Sequence, residues 1–329
     1  MLSNQGGPTM SNPQTGVNRE AAIFVAGHRG LVGSAILRRL EAGGYKNLIT
    51  RSRQELDLTD QTAVEAFYEQ ARPDYVYLAA AKVGGILANS TYPADFIRDN
   101  LAIQLNVINA AHSHGVKKLL FLGSSCIYPK LAPQPIKEEY LLSGELEPTN
   151  EAYAIAKIAG IKMCQAYNKQ YGTHFISAMP TNLYGPGDNF DPETSHVLPA
   201  LIRKAHEAKQ QGAAQMVLWG SGKPKREFLY VDDLADACVY LMDNYSGTEI
   251  VNIGVGQDIS IRDLAGLVCD VIGFDGEIVT DPSKPDGTPR KLLDVSKFSD
   301  LGWRPSTSLR TGIEQTYRWF KEQLRGANR

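Results

Sequence analysis

Residues 21–27, AAIFVAG, form a short apolar run that leads directly into Gly27-His28-Arg29-Gly30-Leu31-Val32-Gly33. Few folds accommodate that junction. The run suits a buried parallel strand, and Leu31, Ile36, Leu37 and Leu40 recur at helical spacing beyond it. Glycines in such a turn permit a tight reversal, close approach of backbone to a pyrophosphate, and close packing of helix on strand. The first turn of the helix then presents free N–H groups to phosphate. With 30 glycines in the chain the triplet alone is weak, and its place between strand and helix carries the argument.

The same rhythm continues. Strands are expected at about 47–51, 75–81, 118–124 and 174–180, with helices at about 60–71, within 93–114 and at 150–171. Alternation of this kind implies an α/β fold of Rossmann type, a doubly wound parallel sheet with helices on both faces. After Pro180 the pattern loosens. A loop rich in Gly, Pro, Asn and Asp (181–195) precedes a helix to about Gln211, and short strands at 216–219, 227–231 and 249–253 alternate with helices at 232–244 and 260–272. A loop at 281–291 leads to a last amphipathic helix at 308–324. The expected organisation is a flexible tail (1–20), a dinucleotide-binding domain (21–180) and a smaller, mainly substrate-binding α/β domain (181–329) that returns a strand to the first sheet.

Composition excludes several function classes. Lys plus Arg number 34 against 36 Asp plus Glu, so the balance of −2 points to neither nucleic acid nor an anionic membrane. No apolar run nears the roughly 20 residues of a membrane helix. Cys126, Cys164, Cys238 and Cys269 form no CxxC or CxxH, so neither a metal site nor a disulfide framework is expected. The absence of a secretory pattern makes the cytoplasm the default expectation.

At the end of the second strand, NAD sites usually carry a carboxylate for the adenosine ribose. Here the position reads Thr50-Arg51-Ser52-Arg53, with no carboxylate before Glu55. Arg29, Arg51 and Arg53 are suited to a 2′-phosphate, which favours NADP, unless they form a solvated edge. Tyr153 and Lys157 make a YxxxK pair on one helical face, where an ammonium lowers a neighbouring phenol's pKa. The motif is cheap, since Tyr317 and Lys321 match it on the terminal helix without such surroundings. The fourth strand, ending Leu122-Gly123-Ser124-Ser125-Cys126, brings a serine hydroxyl to the carboxyl edge of the sheet, where Ser124 can share a carbonyl oxygen with Tyr153. Cys126 follows two residues on and points into the same cleft if the strand continues; His196 opens a helix.

These features, with Pro180-Thr181-Asn182-Leu183-Tyr184-Gly185-Pro186, resemble the extended short-chain dehydrogenase/reductase superfamily over about residues 21–325. Its members mostly act on nucleotide sugars. The runs GHRGLVGSAI, AAAKVGGILAN, FLGSSCIYPK, SHVLPALI, WGSGKPKREFLYVDD and SKPDGTPRKLLDV are similar, more narrowly, to the GDP-L-fucose synthase family. The resemblance implies 3,5-epimerisation of GDP-4-keto-6-deoxy-D-mannose followed by NADPH-dependent reduction at carbon 4. It implies Ser124, Tyr153 and Lys157 as the reductase triad, with Cys126 as base and His196 as acid. It places the cofactor on Gly27 to Gly33, Arg53, Leu122 to Ser125, Lys157, Pro180 to Leu183 and His196. Lys204, Trp219, Arg226 and Asp286 are implied at the substrate, and a homodimer through helices near 95–114 and 151–171. Two other readings stay open at this level: a nucleotide-sugar epimerase or reductase of different substrate, and a silent NADP-binding module. An intact triad speaks against the second.

Overall fold

The protein is described by a computed structural model covering residues 16–192, 194–284 and 286–327. In chain order the first part comprises β1 (Ile23–Ala26), α1 (Leu31–Ala42), β2 (Leu48–Ile49), α2 (Gln61–Ala71), β3 (Tyr75–Leu78), α3 (Ile86–Thr91), α4 (Pro93–Ser113), β4 (Lys118–Leu122), α5 (Glu151–Tyr171) and β5 (Phe175–Pro180). The remainder comprises β6 (Asn182–Tyr184), α6 (Val197–Gln210), β7 (Gln215–Trp219), β8 (Lys225–Arg226), β9 (Phe228–Tyr230), α7 (Val231–Asn244), β10 (Val251–Ile253), β11 (Ile259–Ser260), α8 (Ile261–Ile272), β12 (Glu277–Asp281), β13 (Arg290–Lys291), α9 (Ser296–Asp300) and α10 (Leu309–Ala327).

Strands β1, β4 and β5 are buried along their whole length, as parallel strands between two helical layers must be, and the charged Lys118 at the start of β4 is satisfied by the Leu241 and Met242 carbonyls. Six strands form one parallel sheet in the order β10-β5-β4-β3-β1-β2. The chain first winds outward from β1 to β2, then returns past β1 to β3. That reversal opens a crevice at the carboxyl ends, where ligands of such sheets bind. On one face Ile23, Val25, Ile36, Leu40, Leu234 and Cys238 join α1 and α7 to the sheet. On the other, Phe24, Val76, Val107, Ile108, Ile161 and Cys164 join α4 and α5. Each fully buried aliphatic side chain of this kind contributes about 1.5–3 kcal/mol. A third core, with Leu198, Ile202, Leu264, Val268, Ile313 and Phe320, binds α6, α8 and α10 together.

Three sequence expectations need correction. Of the segment 1–20 expected to be a free tail, residues 1–15 lie outside the described residues, while Val17 is buried and its N–H donates to Asp243 Oδ1 at 2.8 Å. Arg19 also stacks over the Tyr45 ring at 4.2 Å, so this stretch is tied to the body. The loop expected over 281–291 contains the end of β12 and all of β13. Short strands β6, β8 and β11 were also missing from the expectation; β6 lies within the stretch read as a loop rich in Gly, Pro, Asn and Asp, and β8 is the charged pair Lys225-Arg226.

Candidate active site

At the β1–α1 turn, Gly27 has φ +88, and a Cβ there would lie 2.6 Å from the Ala80 nitrogen. A Cβ on Gly33 would fall 2.1 Å from the Gly27 carbonyl oxygen. Both glycines are therefore demanded by packing. Gly30 differs: a Cβ would meet nothing nearer than 3.5 Å, and it caps α1 with no side-chain bond to the first turn. The loop keeps an open face and uncapped N–H groups at Leu31 and Val32, which fits a pyrophosphate.

Next to it, Gly27, His28, Arg29, Gly30, Arg51, Ser52, Arg53, Gln54 and Asp57 line a cleft of about 570 Å³. The three arginines read from the sequence thus meet in one place. Glu55 is not free to hold a ribose, because its carboxylate accepts from Ser52 N and Ser52 Oγ, both at 2.7 Å. His28 Nδ1 is buried there without a protein partner, and burial together with the Arg29 charge lowers its pKa. A cationic cleft with an uncommitted nitrogen suits the 2′-phosphate end of NADP.

The carboxyl end of β4 gathers the candidate reacting groups. The strand stops at Leu122, and Ser125–Ile127 make a 3-10 turn capped by Ser124, whose Oγ accepts from Cys126 N at 3.2 Å. The turn, rather than continued strand alternation, brings Cys126 back beside Ser124. Leu122 supplies its carbonyl to Lys157 Nζ at 2.7 Å, and Gly123 lets Met179 approach, since a Cβ would lie 2.4 Å from its Cε. Tyr153, on α5, lies within hydrogen-bond reach of Ser124. Burial, aided by the neighbouring Cys126 charge, pushes the Tyr153 phenol well above its ordinary range, opposed by the Ser124 bond.

The expected lowering of that phenol by Lys157 does not occur. Lys157 is turned toward the Leu122 carbonyl and the Phe121 ring at 4.8 Å, with its Nζ 5.9 Å from the Tyr153 ring centre. Burial pushes the Lys157 ammonium down to about 7. Tyr153 is accordingly a held, protonated donor. The second YxxxK copy is packing: Tyr317 bonds His206 Nδ1 at 3.0 Å, and Lys321 covers its ring.

Cys126 is half-buried, while Cys164, Cys238 and Cys269 are buried; all four are free thiols. Burial pushes the Cys126 thiol up, but the Lys291 charge and bonds from Ser124, Lys291 and Asn150 outweigh it and leave the pKa below the ordinary value. His196 caps α6 without bonding its first turn, and burial followed by the Lys291 charge lowers its pKa. Sequence reasoning missed Lys291 and Asn150. Asn150 precedes α5 immediately, and its Oδ1 is buried without a partner, leaving an acceptor in the site.

Pro180 ends β5, and Thr181 and Asn182 bond the Glu227 carbonyl at 3.3 and 2.8 Å, so this turn and Leu183 in β6 are fixed against β9. Lys204 lies 4.3 Å from the centre of the Trp219 ring, which is 55% exposed and offers a flat face. Burial lowers the pKa of Lys204. Asp286 accepts from Ser221 N and Oγ at 2.6 and 2.7 Å, which pins the loop after Trp219. Arg226 lies close enough to Cys126 for their charges to interact; its pKa falls through burial and is partly restored by Cys126. Ser124, Tyr153, Cys126, Lys291 and Arg226 therefore gather at the end of β4, the arginine-lined cleft lies at the β1–α1 turn, and Lys204, Trp219 and Asp286 lie around β7 and the loop after it.

Residues 23–254 match the NAD dependent epimerase/dehydratase family. The GDP-L-fucose synthase 1 of Arabidopsis thaliana is 66% identical over 307 residues, 93% of this chain and 95% of that one. The GDP-L-fucose synthase of Escherichia coli is 57% identical over 91% of this chain and 96% of its own. A GDP-L-fucose synthetase structure from Naegleria fowleri bound to NADP superposes with a TM-score of 0.89 at 34% identity, covering 95% and 96% of the two chains. The chain belongs to the NAD dependent epimerase/dehydratase family, on its GDP-L-fucose synthase branch.

Proposed function

We propose that this chain is a bifunctional NADPH-dependent epimerase–reductase that converts GDP-4-keto-6-deoxy-D-mannose to GDP-L-fucose. The observation that carries the reading is the presence, at one sheet edge, of a carbonyl-binding pair and an activated thiol. The Ser124 and Tyr153 hydroxyls lie within hydrogen-bond reach of each other, and Cys126, whose N–H donates to Ser124 Oγ, stands beside them with its pKa lowered. Reduction alone needs the pair; proton exchange beside the ketone needs the thiol as well.

The keto group acidifies the protons on carbons 3 and 5. Ser124 and the Tyr153 phenol donate to the oxygen as enolate charge develops. Cys126 takes a carbon-bound proton, and His196, charged when it acts, returns one from the opposite face. NADPH, when bound, supplies the hydride for carbon 4. Tyr153 then delivers its proton to the same oxygen, and Lys157, held by the Leu122 carbonyl, would help to hold the cofactor. Lys204 and Arg226 meet the diphosphate, and Trp219 offers its face to the base.

The cofactor half is assigned to residues 21–180 and the substrate half mainly to 181–329. We further propose a homodimer. The long helices α4 and α5 pack side by side and leave Leu101, Leu105 and Ile155 exposed at 36%, 53% and 42%, an apolar face suited to a second copy. Among the described residues no helix is long and apolar enough to cross a membrane; we assign the protein to the cytoplasm.

The deciding experiment mixes purified protein with NADPH and GDP-4-keto-6-deoxy-D-mannose, follows nicotinamide absorbance, and reads product stereochemistry by NMR. Consumption of NADPH with inversion at carbons 3 and 5 is expected. Consumption without inversion would reduce the protein to a simple 4-reductase. No consumption would point to another sugar.

A further inference from the structure

Lys291 is a cation that the reaction as drawn does not use, and it forms no ion pair with a carboxylate among the described residues. Its Nζ lies 3.5 Å from Cys126 Sγ. The backbone that carries it is pinned from several directions. Strand β13 pairs with β8, placing Lys291 opposite Arg226. Leu292 N donates to Gln134 Oε1 at 2.8 Å, and Leu293 N donates to the fully buried carboxylate of Glu227 at 3.1 Å. Glu227 also holds Val255 N and Gly256 N, at 2.6 and 2.7 Å. A mobile lysine would be placed by chance; this one is placed by the sheet.

We propose that Lys291 is a positioning residue for epimerisation, its ammonium holding and aiming the Cys126 sulfur as a thiolate. The proposal rests on the reading of Cys126 as the base. A compact ammonium in contact with sulfur stabilises the anion that removes a proton from carbon, and a half-dry site strengthens the attraction. The step is balanced without any other reagent: the C–H proton passes to sulfur, leaving a thiol and an enolate, and a proton returns to carbon from His196.

Other charged groups around the thiol do not duplicate this role. Lys130 is paired with Glu147 at 3.0 Å, and Arg290 is paired with Asp258. Arg226 faces the thiol from β8 and is assigned to the diphosphate. Tyr153, Ser124 and Asn150 contribute hydrogen-bonding groups. His196, on α6, feels the same ammonium, which disfavours its protonation. One charge therefore biases both partners in proton exchange toward lower pH.

The test uses the NADP-saturated enzyme and two readouts. Iodoacetamide alkylation of Cys126, followed by mass spectrometry across pH, reports the thiolate directly, the other three cysteines being buried. Lys291→Met is expected to slow alkylation at pH 7 by about tenfold and move the midpoint to higher pH, and Lys291→Arg to restore most of the rate. Solvent-deuterium exchange at carbons 3 and 5 is the second readout. Both limbs of its pH profile should move upward in Lys291→Met, since removing a positive charge raises the proton affinity of sulfur and imidazole alike. An unchanged alkylation midpoint, or exchange lost equally at every pH, would overturn the proposal and leave Lys291 a packing residue. A Cys126→Ala enzyme that still exchanges would instead overturn the base assignment, while alkylation would still report the lysine–thiol pair.

Discussion

Lys157 is 4% exposed and bonds a backbone carbonyl instead of an anion, so its charge is held at a cost. Its pKa of about 7 lies below that of a lysine in an unfolded chain, about 10.4. Between those values the unfolded chain binds the extra proton, so the contribution of Lys157 to stability rises with pH across that window and is at its most unfavourable below it. Urea unfolding at several pH values is expected to show Lys157→Met lacking this rise while losing reductase activity; identical pH slopes in the two proteins would refute the account. That Ser124, Tyr153 and Lys157 lie near one another was legible because YxxxK and a strand-end serine are local signals with fixed spacing. Lys291 was not, since 165 residues separate it from Cys126 and they meet only through tertiary contacts, the pairing of β13 with β8 and the bonds of Leu292 to Gln134 and Ile136. The local electrostatics also escaped the sequence: a four-residue spacing puts Tyr153 and Lys157 on one face, but cannot show that Lys157 turns toward Leu122.

The β1–α1 junction is the element with least tolerance. Its glycines at positions 27 and 33 are required by backbone contacts inside the protein, so a Gly33→Ala change must push α1 away from the loop. A loss of about 1–3 kcal/mol in urea unfolding is expected, together with weakened NADP binding by calorimetry. A Gly33→Ala variant of unchanged stability would show that the junction relaxes freely. This element was legible from the start, because a buried strand, a glycine turn and an amphipathic helix are each long enough to leave a pattern. The two-residue strands β8, β11 and β13 leave none, although they form one small sheet that sets Lys291 beside Arg226.

At the scale of the whole molecule, α4 and α5 carry exposed Leu101, Leu105 and Ile155 beside the half proposed to bind the cofactor. Leu105→Glu is expected to turn a dimer into a monomer in sedimentation velocity, with the isolated subunit keeping its far-ultraviolet circular dichroism. A wild-type protein that sediments as a monomer at micromolar concentration would remove the proposed assembly. The sheet that carries the cofactor loop closes late: β10, which pairs with the edge of β5, begins only at Val251, after α6 and α7, although β5 itself ends at Pro180. A ribosome that has released the chain as far as Pro180 has thus produced a nucleotide-binding half whose β5 edge still lacks its partner and whose sheet face still lacks α7. The six-stranded sheet is therefore completed only when the chain has been made as far as Ile253, so the half proposed to bind the cofactor gains its last strand from beyond much of the segment proposed to bind the sugar.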